Sequence, residues 1–139
     1  MILLDTNVLS ALMRDPPDAA VLRWLDSQVG SEIWTTTVTV FEVRFGLKRL
    51  PAGRRRVSLE QAFRAVMAEE LAGRVAALDR AAAEAAGDLA AQRAARGQAV
   101  DVRDTLIAGI ALARRAAVAT RNVRHFDDLS IGVLNPWAV

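Results

Sequence analysis

The chain has 139 residues and no cysteine, a single histidine and a single lysine. Without cysteine there are no disulfides, no thiolate metal sites and no cysteine nucleophile. That fits a reducing cytoplasm. His125 stands alone, so catalysis by paired histidines is excluded. Long apolar runs are missing too. At the N-terminus, MILLD meets an aspartate after four apolar residues, so no signal segment is expected. The alanine-rich tract from Ala76 to Ala95 is broken by Asp79, Arg80, Glu84, Asp88 and Arg93, too many charges for a membrane span. No linker or internal repeat divides the chain. A single cytoplasmic domain covering residues 1–139, with no membrane association, is the expectation.

Apolar residues make up 53% of the chain, enough for a packed core. The net charge of +2 is weak. Apart from Lys48, the positive charge is all arginine, whose planar fork donates in pairs to phosphate oxygens. Codon usage in a GC-rich genome would produce the same bias together with the alanine, so composition leaves both explanations standing.

Apolar Ile2 to Leu4 is too short for a helix and predicts a buried strand ending at Asp5. Thr6 or Asn7 can cap a helix through Val8, Leu9 and Leu12. Pro16 and Pro17 stop it, and Pro17 can open the next helix, which Gly30 ends. Ile33 to Thr36 predicts a second strand. Val38 to Leu50 predicts a helix capped by Thr37 or Thr39, and Arg54 to Ala72 another. Val75 to Leu78 is a third strand, followed by a helix from Asp79 to about Arg96. A helix then runs from Asp101 to about Arg115, Ala117 to Thr120 forms a fourth strand, and Ile131 to Leu134 a last one. Alternating strands and helices imply a parallel sheet covered on both faces, with ligands bound beyond the carboxyl ends of the strands.

Polar signals collect at those ends. Asp5 abuts a buried strand, where a charge must reach a helix terminus, a partner or a cation. Glu42 sits among Phe41, Val43 and Phe45 in the helix after the second strand, and reads either as a solvated residue or as a ligand. Asp101 fits an N-cap and Asp104 the first turn that follows it. Thr120 and Asn122 follow the fourth strand and offer neutral oxygens or ordinary turn chemistry. A few carboxylates with neutral oxygens suit magnesium or manganese, which prefer oxygen ligands.

Taken together, LLDTNVLS (Leu3 to Ser10), TVTVFEVRFGL (Thr37 to Leu47), DTLIAGIA (Asp104 to Ala111), VATRNVRHF (Val118 to Phe126) and NPW (Asn135 to Trp137) resemble the PIN-domain family. The likeness is strongest to VapC- and FitB-type toxins of bacterial toxin–antitoxin pairs, and its segments span almost the whole chain in family order. The resemblance implies a three-layer α/β/α fold with a central parallel sheet. It also implies a Mg2+- or Mn2+-dependent endoribonuclease. Its acidic positions fall on Asp5, Glu42 and Asp104 as metal ligands, with Thr120 beside them. The fourth acidic position is Asn122. Three carboxylates fall one charge short of balancing two divalent ions, so one firmly held metal is expected, a second only with substrate phosphate. The implied partners are RNA, a cognate small antitoxin that inhibits the site, operator DNA reached through the antitoxin, and a second copy in a homodimer within a larger assembly.

Other residues read more plainly. His125 is expected to be structural. Arg103 and Arg121 flank the acidic positions and suit phosphate or a partner's carboxylates; Arg54, Arg55 and Arg56 suit a solvated helix start. The tryptophans and phenylalanines are expected to pack in the core or an interface. An aspartyl-nucleophile phosphatase wants a second acid two residues after Asp5, and position 7 is Asn. A non-catalytic interaction module would leave the three acids without a purpose.

Overall fold

The computed structural model describes all 139 residues. Five strands form one parallel sheet: β1 (Ile2–Leu4), β2 (Ile33–Thr36), β3 (Val75–Ala76), β4 (Ala117–Ala119) and β5 (Val133–Leu134). Their spatial order is β3-β2-β1-β4-β5. Register pairs Ile2 with Ile33 on one side and with Ala117 on the other, so β1 is central. Six α-helices connect them: α1 (Thr6–Met13), α2 (Ala19–Asp26), α3 (Thr37–Arg49), α4 (Arg54–Ala65), α5 (Arg80–Ala95) and α6 (Val102–Arg114).

The two-residue period of a strand sends neighbouring side chains to opposite faces, and β1 feeds a core on each. Leu4 packs with Val8, Leu9, Leu12, Trp24, Val43, Leu47 and Phe63, drawn from α1 to α4. Leu3 packs with Val118, Ala82, Leu89, Ile107 and Ile110, under α5 and α6. The result is the expected three-layer α/β/α arrangement. The alanines of α5 let it approach α6 closely: a Cβ added at Gly109 would lie 2.5 Å from the Ala82 carbonyl oxygen and 2.6 Å from the Ala86 Cβ.

Several boundaries differ from expectation. Of the residues that could cap α1, Asp5 rather than Thr6 or Asn7 does so, as one reading of its place at the strand end anticipates, because its own backbone is extended and its carboxylate accepts from the Thr6 N–H. Asp18 caps α2, accepting from Ala20 and Val21, so that helix begins at Ala19 rather than Pro17. Thr36 caps α3 by accepting from the Thr39 N–H. The long helix after Arg54 ends its α-geometry at Ala65 and closes in a wider π-turn, Val66–Glu70. The edge strands β3 and β5 are two residues each. The Leu78 N–H, expected in a ladder, donates instead to the Thr37 hydroxyl. Short edges offer little template for unwanted strand pairing. No helix is long and apolar enough to cross a membrane.

Candidate metal and phosphodiester site

The carboxyl ends of β1 and β4 and the early turns of α3 and α6 supply the polar residues. Asp5 follows β1, Glu42 lies in the second turn of α3, which starts directly after β2, and Asp104 sits in the first turn of α6. Thr120 follows β4. The helix N-termini of α1 and α6 are where carboxylates are favoured by the helix dipole.

Asp5 is only 4% exposed. One carboxylate oxygen accepts from the Thr6 N–H at 2.8 Å. The other accepts from the Thr120 hydroxyl at 2.8 Å and from Asn7 Nδ2 at 3.3 Å. Asp5 is therefore both helix cap and site carboxylate. Thr120 is wholly buried, and besides donating to Asp5 it accepts from the Asn122 N–H and Asn7 Nδ2. Its hydroxyl is saturated, so Thr120 orients Asp5 rather than offering a lone pair of its own. Asn122 contributes its backbone N–H, and its side chain bonds to none of the three carboxylates.

Glu42 accepts from the Thr6 hydroxyl at 3.1 Å and faces Arg103 Nη1 at 3.4 Å. Asp104 has its N–H bound by Asp101 at 3.0 Å, which gives Asp101 the capping role expected of it. The Asp104 carboxylate meets His125 Nδ1. An ionised carboxylate only accepts, so the imidazole donates there. The sequence predicts a merely structural His125; the side chain, carried on the short 3-10 turn Val123–His125, touches the acidic site directly.

Electrostatics link the trio. Burial pushes the Asp5 carboxyl above its ordinary range, and the charge of Asp104 adds to the shift while the bonds from Thr120 and Thr6 oppose it. Burial raises Glu42 as well, with Asp5 and Asp104 adding to it and Thr6 and Arg103 opposing. Asp104 is raised first by burial and then by Asp101, against His125 and Arg93. Acids that raise one another's pKa form a site that a cation stabilises. The side chains do not close into a three-ligand cage. Glu42 and Asp104 instead turn toward the cationic or donor groups at hand, Arg103 and His125. The hard-oxygen donor set and the mutual repulsion nevertheless fit Mg2+ or Mn2+.

Two supports escaped the sequence reading. Asn7 ties the β1 end to the β4 end, since its Oδ1 accepts from the Arg121 N–H at 3.1 Å. Arg93 is buried and grips Asp128 through two hydrogen bonds of 2.8 and 2.9 Å, with a third to the His125 carbonyl at 2.9 Å. It thereby holds the segment that presents His125 to Asp104. Its signal is its spacing: Ala82, Ala86, Leu89 and Arg93 fall on one helical stripe, all buried. Phe41 and Phe45 face solvent and stack with ring centroids 6.1 Å apart.

The sequence pattern of the PIN domain matches residues 2–131, and the chain belongs to the PIN-domain family. It is 39% identical over 137 residues to a protein of Sinorhizobium fredii called VapC ribonuclease Y4jK, covering 99% of this chain and 98% of that one. It is 31% identical over 137 residues to Toxin FitB of Neisseria gonorrhoeae, covering 99% of each. Among solved structures it resembles a chain of FitAB bound to a DNA fragment, with a TM-score of 0.88 and 31% identity, covering 100% of this chain and 97% of that chain.

Proposed function

We propose that this chain is the toxin of a type II toxin–antitoxin pair and acts as a Mg2+- or Mn2+-dependent endoribonuclease. The observation that carries the reading is the meeting of Asp5, Glu42 and Asp104 from three separate elements, each with its carboxyl pushed up by burial and by another acid's charge. The names borne by its relatives, a VapC ribonuclease and a toxin, agree with it.

Asp5, Glu42 and Asp104 would hold the metal. When bound, such an ion supplies an activated water and offsets charge building on the phosphate. The chain's own residues do the rest. Thr6, Asn7 and Thr120 fix both Asp5 oxygens by donating to them, so the carboxylate cannot rotate away. The His125 imidazole holds one Asp104 oxygen and leaves the other free. Arg103 pairs with Glu42, and its exposed guanidinium can turn to an RNA phosphate once Glu42 is engaged. Asn122 leaves the site one carboxylate short, which favours one firmly held ion, with a second entering alongside substrate phosphate.

The same reading includes a cognate antitoxin that blocks the site, operator DNA bound through that antitoxin, and a homodimer within the larger complex. The solved FitAB chain, bound to a DNA fragment, supports the partner and the DNA in that reading. The test is RNA cleavage by antitoxin-free protein with Mg2+ or Mn2+, with EDTA, and with Asp5→Asn. Cleavage is expected only for wild type with metal, and Asp5→Asn should lose at least roughly a hundredfold. Equal activity in both proteins would defeat the reading.

A further inference from the structure

A second recess opens beside the acidic one, beyond the carboxyl ends of β4 and β5. It measures about 330 Å³ and is lined by Arg121, Asn122, Val123, Arg124, His125 and Asn135. No carboxylate lines it. The neighbouring recess, about 520 Å³, is bordered by Asp101, Asp104, Asp127 and Asp128, so Asp104 is the one member of the acidic trio that lines it. Arg124 and His125 line both and so form the wall between them.

The basic recess is built mainly of hydrogen-bond donors. Arg121 lies over the Trp137 ring, its guanidinium carbon 4.4 Å from the centroid. Trp137 is itself pinned, since its indole N–H donates to Asp18 at 3.2 Å and its backbone N–H to Asn135 Oδ1 at 3.0 Å. That bond engages the Asn135 oxygen and leaves its NH2 as a donor. Arg93, Arg96 and Arg103 nearby are all paired with carboxylates. Arg121 and Arg124 form no such pair, and both are exposed. Two unpaired guanidiniums, one pre-oriented by an aromatic face, suit an anion with several acceptor oxygens.

The geometry points to this recess as a subsite for a second phosphodiester of the substrate strand, next to the one presented to Asp5, Glu42 and Asp104. This rests on the reading of the chain as an RNA nuclease. A polyanion entering a site of three carboxylates meets repulsion from every phosphate it carries. A cationic recess across the Arg124–His125 wall from Asp104 offsets that repulsion for the flanking phosphate and fixes the strand's direction past Asp104.

Binding separates this inference from catalysis. The full chain in EDTA is titrated into a short fluorescein-labelled single-stranded RNA of mixed sequence, over a salt series. Removing the cation that neutralises one phosphate lowers the slope of log affinity against log salt by about 0.7 for single strands. Arg121→Ala and Arg124→Ala should each weaken binding about tenfold and lower the slope by about that amount. Arg121→Lys, which keeps the charge, should restore the slope. Arg114→Ala, at the far end of α6, should leave both quantities at wild-type values. The guanidinium stacked on Trp137 belongs to Arg121, so the Arg124 variant reports on the recess even if Arg121→Ala loosens the C-terminal segment. Wild-type slopes in both alanine variants would overturn the subsite, as would an absence of RNA binding by wild type. RNA that binds through these arginines yet is never cleaved with Mg2+ or Mn2+ would leave the subsite standing and remove the nuclease reading instead.

Discussion

Glu42 is held where an ionised carboxylate is uncomfortable: half-buried, near Asp5 and Asp104, with one exposed arginine as its only cation. Its folded pKa lies above the ordinary value of about 4.3. The sign follows from linkage. A carboxyl raised by folding stabilises the fold below its unfolded pKa, and that contribution is lost as pH rises through the folded value. Glu42→Gln keeps an acceptor for the Thr6 hydroxyl and removes the charge. In EDTA it should melt higher than wild type at neutral pH, by roughly 2–4 °C for about 1 kcal/mol. The gap should close as pH falls below about 4.3. Thermal melts across that range check it, and a variant less stable at pH 7 would contradict the electrostatic account. At this scale the sequence discloses Asp5 and Asp104 through their positions at a strand end and a helix start. Glu42 is visible mainly through family likeness, because a glutamate inside a helix carries no local mark of burial. Asn7 and His125 work through partners far away in the chain, across β4 and α6, and periodicity does not report such pairs.

Between elements, two contacts hold the site's walls in place. Arg93 joins α5 to the segment carrying His125, and its pairing holds the Asp128 carboxyl below its ordinary range. Arg93→Met should cost about 2–3 kcal/mol by orphaning a charge-assisted pair. Because the Asp128 pKa is lowered by folding, its contribution is present above about 3.9 and lost as pH falls through the folded value. Wild type should therefore lose part of its advantage over Arg93→Met below about pH 4, as urea midpoints at several pH values would reveal. The second contact is the close approach of α5 and α6 at Gly109. A methyl there meets a backbone carbonyl, which cannot swing aside, so Gly109→Ala should destabilise by about 1–3 kcal/mol, read from the same denaturation curves. The helices themselves are legible from apolar spacing and breakers. The starts of α5 and α6 are legible too, at Asp79 and Asp101. Those of α1 to α3 are less so, since Asp5, Asp18 and Thr36 each outcompete a neighbour by offering an oxygen to an N–H one to three residues on. The two-residue edge strands are shorter than their sequence suggests because the apolar run at β3 continues past its last paired residue and the run at β5 starts before its first.

Across the whole molecule, the order β3-β2-β1-β4-β5 puts β1 and β4 side by side at the centre, which is why Asp5, Asn7 and Thr120 meet. Alternation of strands and helices predicts a parallel sheet and, with it, a site beyond the strands' carboxyl ends. The strand order itself depends on long-range pairing and is not readable from local pattern. The proposed function has Asp5, Glu42 and Asp104 together hold one divalent ion. Electron paramagnetic resonance of Mn2+ titrated into the antitoxin-free protein tests that binding without RNA. The account predicts one firmly bound ion per chain in wild type, lost in Asp5→Asn and in Asp104→Asn while both variants stay folded. Wild-type Mn2+ binding retained in both variants would contradict it.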